Sequence, residues 1–572
     1  MSAGVKTGQN SHIKLRLKIE YWISTAIQGL AAGAISLVFL FLIRFIYENT
    51  YVVFAQKSLS FFLIASFLLI VGTSSAVGLL LSYINPNASG SGIPQIKIAY
   101  WKKRGYISIQ STFIKLIAGV LSIGGGQSLG RKAPSVYLGG GIASFLAGRF
   151  GIPPRERRQA LLSGSAAGLA AAFNCPLAGV AFIIEEIACT INKKVLVMAT
   201  FSSLAATFLV HNVIGADPIF RHVYIDSINW VPYVAIPIVA LVASSVGVFF
   251  RRSVIECRSK LKEQKKLPRW LHPVLGGLVT WILGCGVFIY TGRLGVFSLG
   301  SHDLNQVLGH YIDWRIAGLL ALVKLVATIA CYASGGIGGV FAPSLFIGGM
   351  SGYFIAGYIS RFMPLSESDF TVLALVGMAC CLGAVIRAPV TSFLIIFEMT
   401  HQVAIIPALL LGTLLSQSIA KLAGPYNFFE DLLLQDGYQK RFIRPTLELK
   451  DWKNTAVSEI SNPYPITVSD WHRQDLEKLL KSNSFDEFPF ITGDTVTGIV
   501  ERKQVEHYLN TGIEPQPYKV VTAYSDQTIE EIYLLFIGYS RNLLPVLDRK
   551  TGRLTGIVTR NDLLRSQTKM MD

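Results

Sequence analysis

Two apolar segments of this chain carry the same interruption, and that repeat constrains the fold more than any other feature. Residues 128–141, SLGRKAPSVYLGGG, run parallel to residues 336–350, GIGGVFAPSLFIGGM. Pro134 matches Pro343, as do the following serine and the Gly-Gly pair, at a spacing of 343 − 134 = 209. Farther on, NCPLAGVAFIIEE (174–186) parallels RAPVTSFLIIFEM (387–399), with Pro176 on Pro389 and Glu185 on Glu398, at 389 − 176 = 213. Two motif pairs in the same order, at nearly one spacing, predict two homologous halves. Chance likeness between apolar stretches does not account for shared Pro, Gly and Glu, which are uncommon in spans.

The solvent for these halves is a lipid bilayer. Of 572 residues, 51% are hydrophobic and only 15% charged, against about 25% charged in a soluble domain. Stretches of span length, about 20 residues, occur near 22–47, 61–84, 195–214, 230–250, 272–291 and 315–333. Other apolar pieces are expected to be shorter and broken: 112–126, 135–148, 160–188, 339–360, 372–398 and 403–423. A broken helix at membrane depth is tolerated only where protein or a polar cavity surrounds its backbone. Paired breaks in two halves point to a transport site. The formal net charge of +17 reads as positive-inside loop charge, not nucleic-acid affinity. The basic clusters at Lys102–Arg104, Arg155–Arg158 and Arg251–Arg269 are expected on the cytosolic side, as are the N- and C-termini. No signal peptide is read at the N-terminus. Seven scattered cysteines, with no CxxC pair, read as packing residues, neither disulfides nor metal ligands.

After about residue 440 the composition changes. Strand-like runs such as FPFIT, VTGIV and LLPVLD alternate with amphipathic helices. This tail repeats too: FPFITGDTVTGIV (488–500) parallels LLPVLDRKTGRLTGIV (543–558). The predicted organisation is a cytosolic segment at 1–20, a transmembrane domain of two homologous halves at 21–440, and a cytosolic α/β regulatory domain at 441–572. The fold class is a polytopic α-helical membrane protein with broken helices and a soluble tail.

Three Gly-rich turns each place Pro in the first turn of a helix: GSGIP (Gly90–Pro94), GRKAP (Gly130–Pro134) and GVFAP (Gly339–Pro343). Helix N-termini offer free amides and partial positive charge, so several converging in a membrane would bind an anion without a full buried cation. Any one of the turns alone is as readily a break needed for packing.

With AAFNCPLAGVAFIIEE, these turns resemble the CLC family of chloride channels and proton-coupled chloride antiporters across about residues 22–437. The tail resembles a pair of CBS domains. The resemblance implies two inverted repeats and a homodimer with one anion pathway per subunit. It implies chloride as transported ligand, with Ser91 and Gly92 in the turn at the central anion. The amides of Val340 and Phe341 would contact the same ion, and those of Arg131, Lys132 and Ala133 would line an outer site. Serine at 91, where nitrate-preferring members tend to have proline, points to chloride.

The chain departs from the family pattern in two places. The third position of its GREGP motif is Lys132, not the gating glutamate. An ammonium cannot swing into an anion site as a carboxylate does, so the usual gate and tight proton exchange are expected to be lost. Lys132 would then concentrate anions or hold them; snorkelling to the surface is the bland alternative. The pore tyrosine falls at Phe429, which lacks the hydroxyl, with Tyr426 nearby as a substitute. Glu186 matches the family's internal proton-transfer glutamate and is the proton-pathway candidate or a relic; Glu185 reads as structural.

In the tail, GIVTRND gives Thr559 and Asp562 as nucleotide-ribose contacts, with adenine nucleotide the implied ligand; the first repeat has Glu501 and Gln504 there. A purely structural dimerisation module competes with that reading. Three function classes follow: an anion channel or uncoupled chloride transporter, with a chloride/proton antiporter using another proton route beside it; a nucleotide sensor anchored by its membrane half; and a membrane enzyme. No HExxH or GxSxG motif supports the last, and no catalytic residue is assigned.

Overall fold

The computed structural model describes residues 3–220, 223, 225, 230–264, 267–438, 456–493, 495–549 and 551–569, with backbone alone at 3–21, 87, 154–155 and 565–569. The chain divides into two compact units, Met1–Ile443 and Arg444–Asp572. The expected boundary at 440–441 lies outside the described residues.

Among the described residues, eight helices are long and apolar enough to cross a membrane. Six correspond to the expected spans. The first of them, Trp22–Ala55, continues in backbone a helix that begins at Ala3, within the segment read as separate. The other two, Glu367–Ile386 and Val403–Leu422, fall where broken pieces were expected. The 372–398 stretch does break, at Arg387–Ala388, but only after a helix of full span length. Val403–Leu422 does not break. Its Gly412 lies against the neighbouring helix, where a Cβ would meet Val376 Cγ1 at 2.6 Å.

The same correction applies to the Gly-Gly pairs. Helix α1 (Ile93–Trp101) precedes α2 (Lys132–Arg149) and α3 (Pro154–Phe173) in the first half. In the second half, α4 (Trp314–Ala333) leads to α5 (Phe341–Ile359) and α6 (Glu367–Ile386). Neither α2 nor α5 is interrupted at its glycines. A Cβ on Gly139 of α2 would stand 3.0 Å from Gly168 Cα of α3. One on Gly377 of α6 would stand 3.0 Å from Gly352 Cα of α5. Small residues let these backbones approach closely, which is how helices pack tightly in lipid. The repeat is therefore one of packing as well as of sequence.

The helix after α3 starts at Pro176 and the helix after α6 starts at Pro389, each following a left-handed residue, Asn174 or Arg387. The first ends in a π-helical turn, Ile183–Ala188, that carries Glu185 and Glu186. A short helix α7 (Phe428–Gln435) closes the membrane unit, started by a capping box between Asn427 and Glu430. All seven cysteines are free and five are buried.

The tail holds two α/β units of one topology. In the first, α8 (Arg473–Ser482) precedes the antiparallel pair β1 (Glu487–Thr492) and β2 (Thr495–Glu501), followed by α9 (Arg502–Thr511). Val468 bridges in parallel to β1. In the second, β3 (Ala523–Tyr524) and α10 (Ile529–Gly538) precede the pair β4 (Leu543–Leu547) and β5 (Leu554–Thr559), followed by α11 (Arg560–Lys569). There β3 runs parallel to β4. The units exchange their leading segments: Asn462 bridges to Ile557 of β5, and Tyr518 to Ile499 of β2.

Candidate functional site

The two Gly-rich turns of the halves meet. Gly130 and Gly339 exchange both backbone hydrogen bonds, N to O at 2.8 and 2.6 Å. Glycine is required here: a Cβ on Gly130 would stand 2.9 Å from the Gly339 carbonyl oxygen. This bridge sets the N-termini of α2 and α5 side by side. The amides of Lys132, Ala133, Val340 and Phe341 engage no acceptor outside their own helices among the described residues. The third turn joins the same helix. Gly92 takes a left-handed conformation, φ 94°, and a Cβ there would collide with Tyr137 of α2 at 2.7 Å.

A continuous run of aromatic rings links these turns. Tyr332 of α4 packs on Phe428 at 5.2 Å between centroids, Phe428 on Phe429 at 5.5 Å, and Phe429 stacks on Phe341 at 6.3 Å. Phe341 also meets Phe182 and Phe173, at 5.3 and 6.4 Å. At one end of the run, the Lys132 side-chain nitrogen lies over the Phe173 ring, 2.9 Å from its centroid, and 3.8 Å from Met399 Sδ. Lys132 is buried, 7% exposed, so it does not snorkel. It engages a π face and a thioether, the attraction an ammonium finds where no carboxylate is at hand. At the other end, the Tyr332 phenol neighbours the side chain and backbone of Ser91. Ser91 is 1% exposed, and among the described residues its hydroxyl has no partner other than the neighbouring Tyr332 phenol.

Phe429 thus occupies the ring run, whereas Tyr426, the expected substitute, is half-buried with its carbonyl held by Arg251. Above the α2 start lies a cavity of about 380 Å³ whose lining includes Arg44, Arg131, Lys132, Asn174 and Asp217. Three basic side chains and one carboxylate line it. Arg44 was not singled out in the sequence, since it sits at the end of an ordinary span.

Glu186 is 2% exposed and fully engaged. Lys97 donates to Oε1 at 2.6 Å and Asn427 Nδ2 to Oε2 at 2.7 Å. The partner Lys97 lies in α1, five residues beyond Gly92. A lysine within an apolar segment is a legible sign of a buried partner, although not of which one. Glu185 and Glu398 are structural, as expected. Leu177 and Ala178 amides donate to Glu398 at 3.0 and 2.7 Å, and those of Val390 and Thr391 to Glu185 at 3.1 and 2.8 Å.

In the tail, Asp562 caps α11: its Oδ2 accepts from the Thr559 amide at 2.9 Å and the Thr559 hydroxyl at 2.6 Å. Glu501 and Gln504 cap α9 in the same way. Arg541 pairs with Glu501, lies 3.9 Å from Glu487, and sits 3.9 Å over the Tyr518 ring. No His/Cys/Asp/Glu cluster suited to a metal occurs among the described residues.

The comparisons with known proteins agree with this arrangement. The sequence model of the family described as "Voltage gated chloride channel" matches residues 73–421, and that of the CBS domain matches 516–569, the second tail unit. An H(+)/Cl(-) exchange transporter ClcA of Vibrio parahaemolyticus is 28% identical over 351 residues, covering 61% of this chain and 74% of the relative. One from Vibrio cholerae is 29% identical over 383 residues, covering 66% and 79%. Among solved structures, a slow cyanobacterial Cl-/H+ antiporter aligns with a TM-score of 0.65 at 24% identity, over 73% of this chain and 98% of the other. A eukaryotic CLC transporter aligns at 0.62 and 19%, over 96% and 98%. With joined half-helix starts and a family match over 349 of its residues (421 − 73 + 1), this chain is an integral multi-pass membrane protein and belongs to the CLC family of chloride channels and transporters.

Proposed function

We propose that this chain is an anion channel or uncoupled transporter for chloride, with Lys132 where its relatives carry a gating glutamate. The observation that carries the reading is the placement of Lys132 at the first turn of α2, beside the Gly130–Gly339 bridge. A cation on the Phe173 face there leaves no carboxylate to enter the anion's place or to carry a proton out of it. In this reading the anion is bound by Ser91 and the Gly92 turn, then by the amides of Val340 and Phe341. The start of α2, from Arg131 to Ala133, forms its outer approach. Phe429, in the place of the family's pore tyrosine, borders the anion, and Lys132 stands at the gate. The cavity above Lys132, with its basic side chains, raises the local anion concentration.

The state of Glu186 supports the uncoupled form. A carboxylate held by an ammonium and an amide is a poor proton relay, because releasing it leaves a buried cation unpaired. Retention of Glu186 at all, with ClcA exchangers among the relatives, is what favours the antiporter alternative. The reading also takes the protein as a homodimer with both termini in the cytosol and a regulatory tail. Thr559 and Asp562 are then candidate adenine-nucleotide contacts beyond their capping role.

Chloride efflux from proteoliposomes, with pH recorded alongside, tests the proposal. Chloride flux without proton movement is expected. Uphill proton movement driven by a chloride gradient would defeat the uncoupled mechanism, and absence of chloride flux would defeat the whole reading.

A further inference from the structure

The inner end of the anion site has lost a donor at one position and gained one at another. Phe429 brings a ring without a hydroxyl. Tyr332 brings a phenol to the same run of rings, from a position 241 residues beyond Ser91 (332 − 91), in the last turn of α4.

Four observations place that phenol at Ser91 and the turn that carries it. Its hydroxyl neighbours both the side chain and the backbone of Ser91. A Cβ built on Gly90 would meet this hydroxyl at 3.5 Å, before any other atom. Ser91 Oγ is buried, and the Tyr332 phenol is its one neighbour of hydrogen-bonding kind among the described residues. Tyr332 itself is 3% exposed and fixed by Phe428, whose neighbour Phe429 stacks on Phe341. Two buried hydroxyls that can pair only with each other leave one proton without an acceptor, and an anion beside them would supply one. The connection also runs along the chain. Tyr332 lies eight residues before Val340 (340 − 332), at the end of the helix whose following loop delivers the α5 amides.

We propose that Tyr332 donates its hydroxyl to the central anion, supplying from α4 the contact that Phe429 cannot make. The inner site is then Ser91, Tyr332 and the Val340–Phe341 amides. This rests on the anion site proposed above.

The test is Tyr332→Phe in the full-length protein, which removes one oxygen and keeps the ring. Chloride affinity is measured by calorimetry in detergent, alongside flux from proteoliposomes and the thermal midpoint. A fall in chloride affinity of roughly ten-fold, with an unchanged midpoint, is expected. Tyr332→Phe combined with Phe429→Tyr returns a hydroxyl to the same run of rings and is expected to restore affinity. A purely packing role for the phenol would move the midpoint and leave affinity alone. Unchanged affinity in Tyr332→Phe, with the unaltered protein binding chloride, overturns the assignment of Tyr332 alone; so does a loss that Phe429→Tyr leaves in place. No binding and no flux in the unaltered protein overturns the anion site together with it.

Discussion

Glu185 and Glu398 are exchanged between the halves: each accepts two backbone amides at the start of the Pro-led helix of the opposite half. Orphan N–H groups at a helix start need acceptors, and in lipid no water supplies them. A carboxylate there also meets the positive end of the helix. The two broken helices therefore lock together at their breaks, and the lock is the same on both sides because the sequence repeats at 213 residues.

Removing one side of that lock measures it. Glu398→Ala should lower stability by about 1.5–3 kcal/mol, seen as a reduced thermal midpoint in detergent. Glu398→Gln, which keeps an acceptor, should lose less. An unchanged midpoint for the alanine variant would mean the Leu177 and Ala178 amides find other acceptors.

Lys132→Glu should introduce a group that competes with chloride and titrates. Chloride flux through the variant is expected to depend on pH where the parent's does not, measured by efflux from proteoliposomes over a pH series. A flat profile would place Lys132 away from the gate.

The Lys97–Glu186 pair gives a sign test. Lys97→Met leaves a buried carboxylate without its ammonium and should destabilise by about 3–5 kcal/mol. Adding Glu186→Gln removes the stranded charge and should recover most of that loss. Independent, additive effects in the double variant would show the two residues to be uncoupled.

Close packing at the small residues predicts intolerance. A Cβ at Gly348 would stand 2.7 Å from Cys381 Cβ. Gly348→Leu should abolish accumulation of folded protein, judged by size-exclusion chromatography in detergent, although the substitution is ordinary for a membrane span.

In the tail, burial raises the Glu487 carboxyl above the usual glutamate range, and Arg541 opposes that rise. A carboxyl raised on folding is unfavourable while ionised, and the penalty vanishes as pH falls below its unfolded value, about 4.3. Arg541→Ala should thus destabilise the tail by about 1 kcal/mol at neutral pH and by less near pH 4. Hydrogen exchange of β1 and β4 in the full chain reads both.

The repeat, the Pro-led turns and the paired glutamates were legible because Pro, Gly and Glu are expensive in a bilayer and are kept only for a local reason. That reason is local backbone geometry, which nearby sequence encodes. The same logic misled at Gly139, Gly348 and Gly412. There glycine serves a neighbour's close approach, not a break, and a sequence shows the missing side chain without showing the neighbour.

The sequence by itself determined the membrane class, the two halves, the three turns and the presence of a lysine, Lys132, within the GRKAP turn. Each is a property of residues within a few positions of one another or of a regular spacing. The tertiary structure alone decided that Lys97 holds Glu186, that Phe173 receives Lys132, and that Tyr332 stands at Ser91. Those partners come from helices tens to hundreds of residues away, and in lipid, where helices have no water to drive them together, contact follows from shape and polar pairing that no periodicity records.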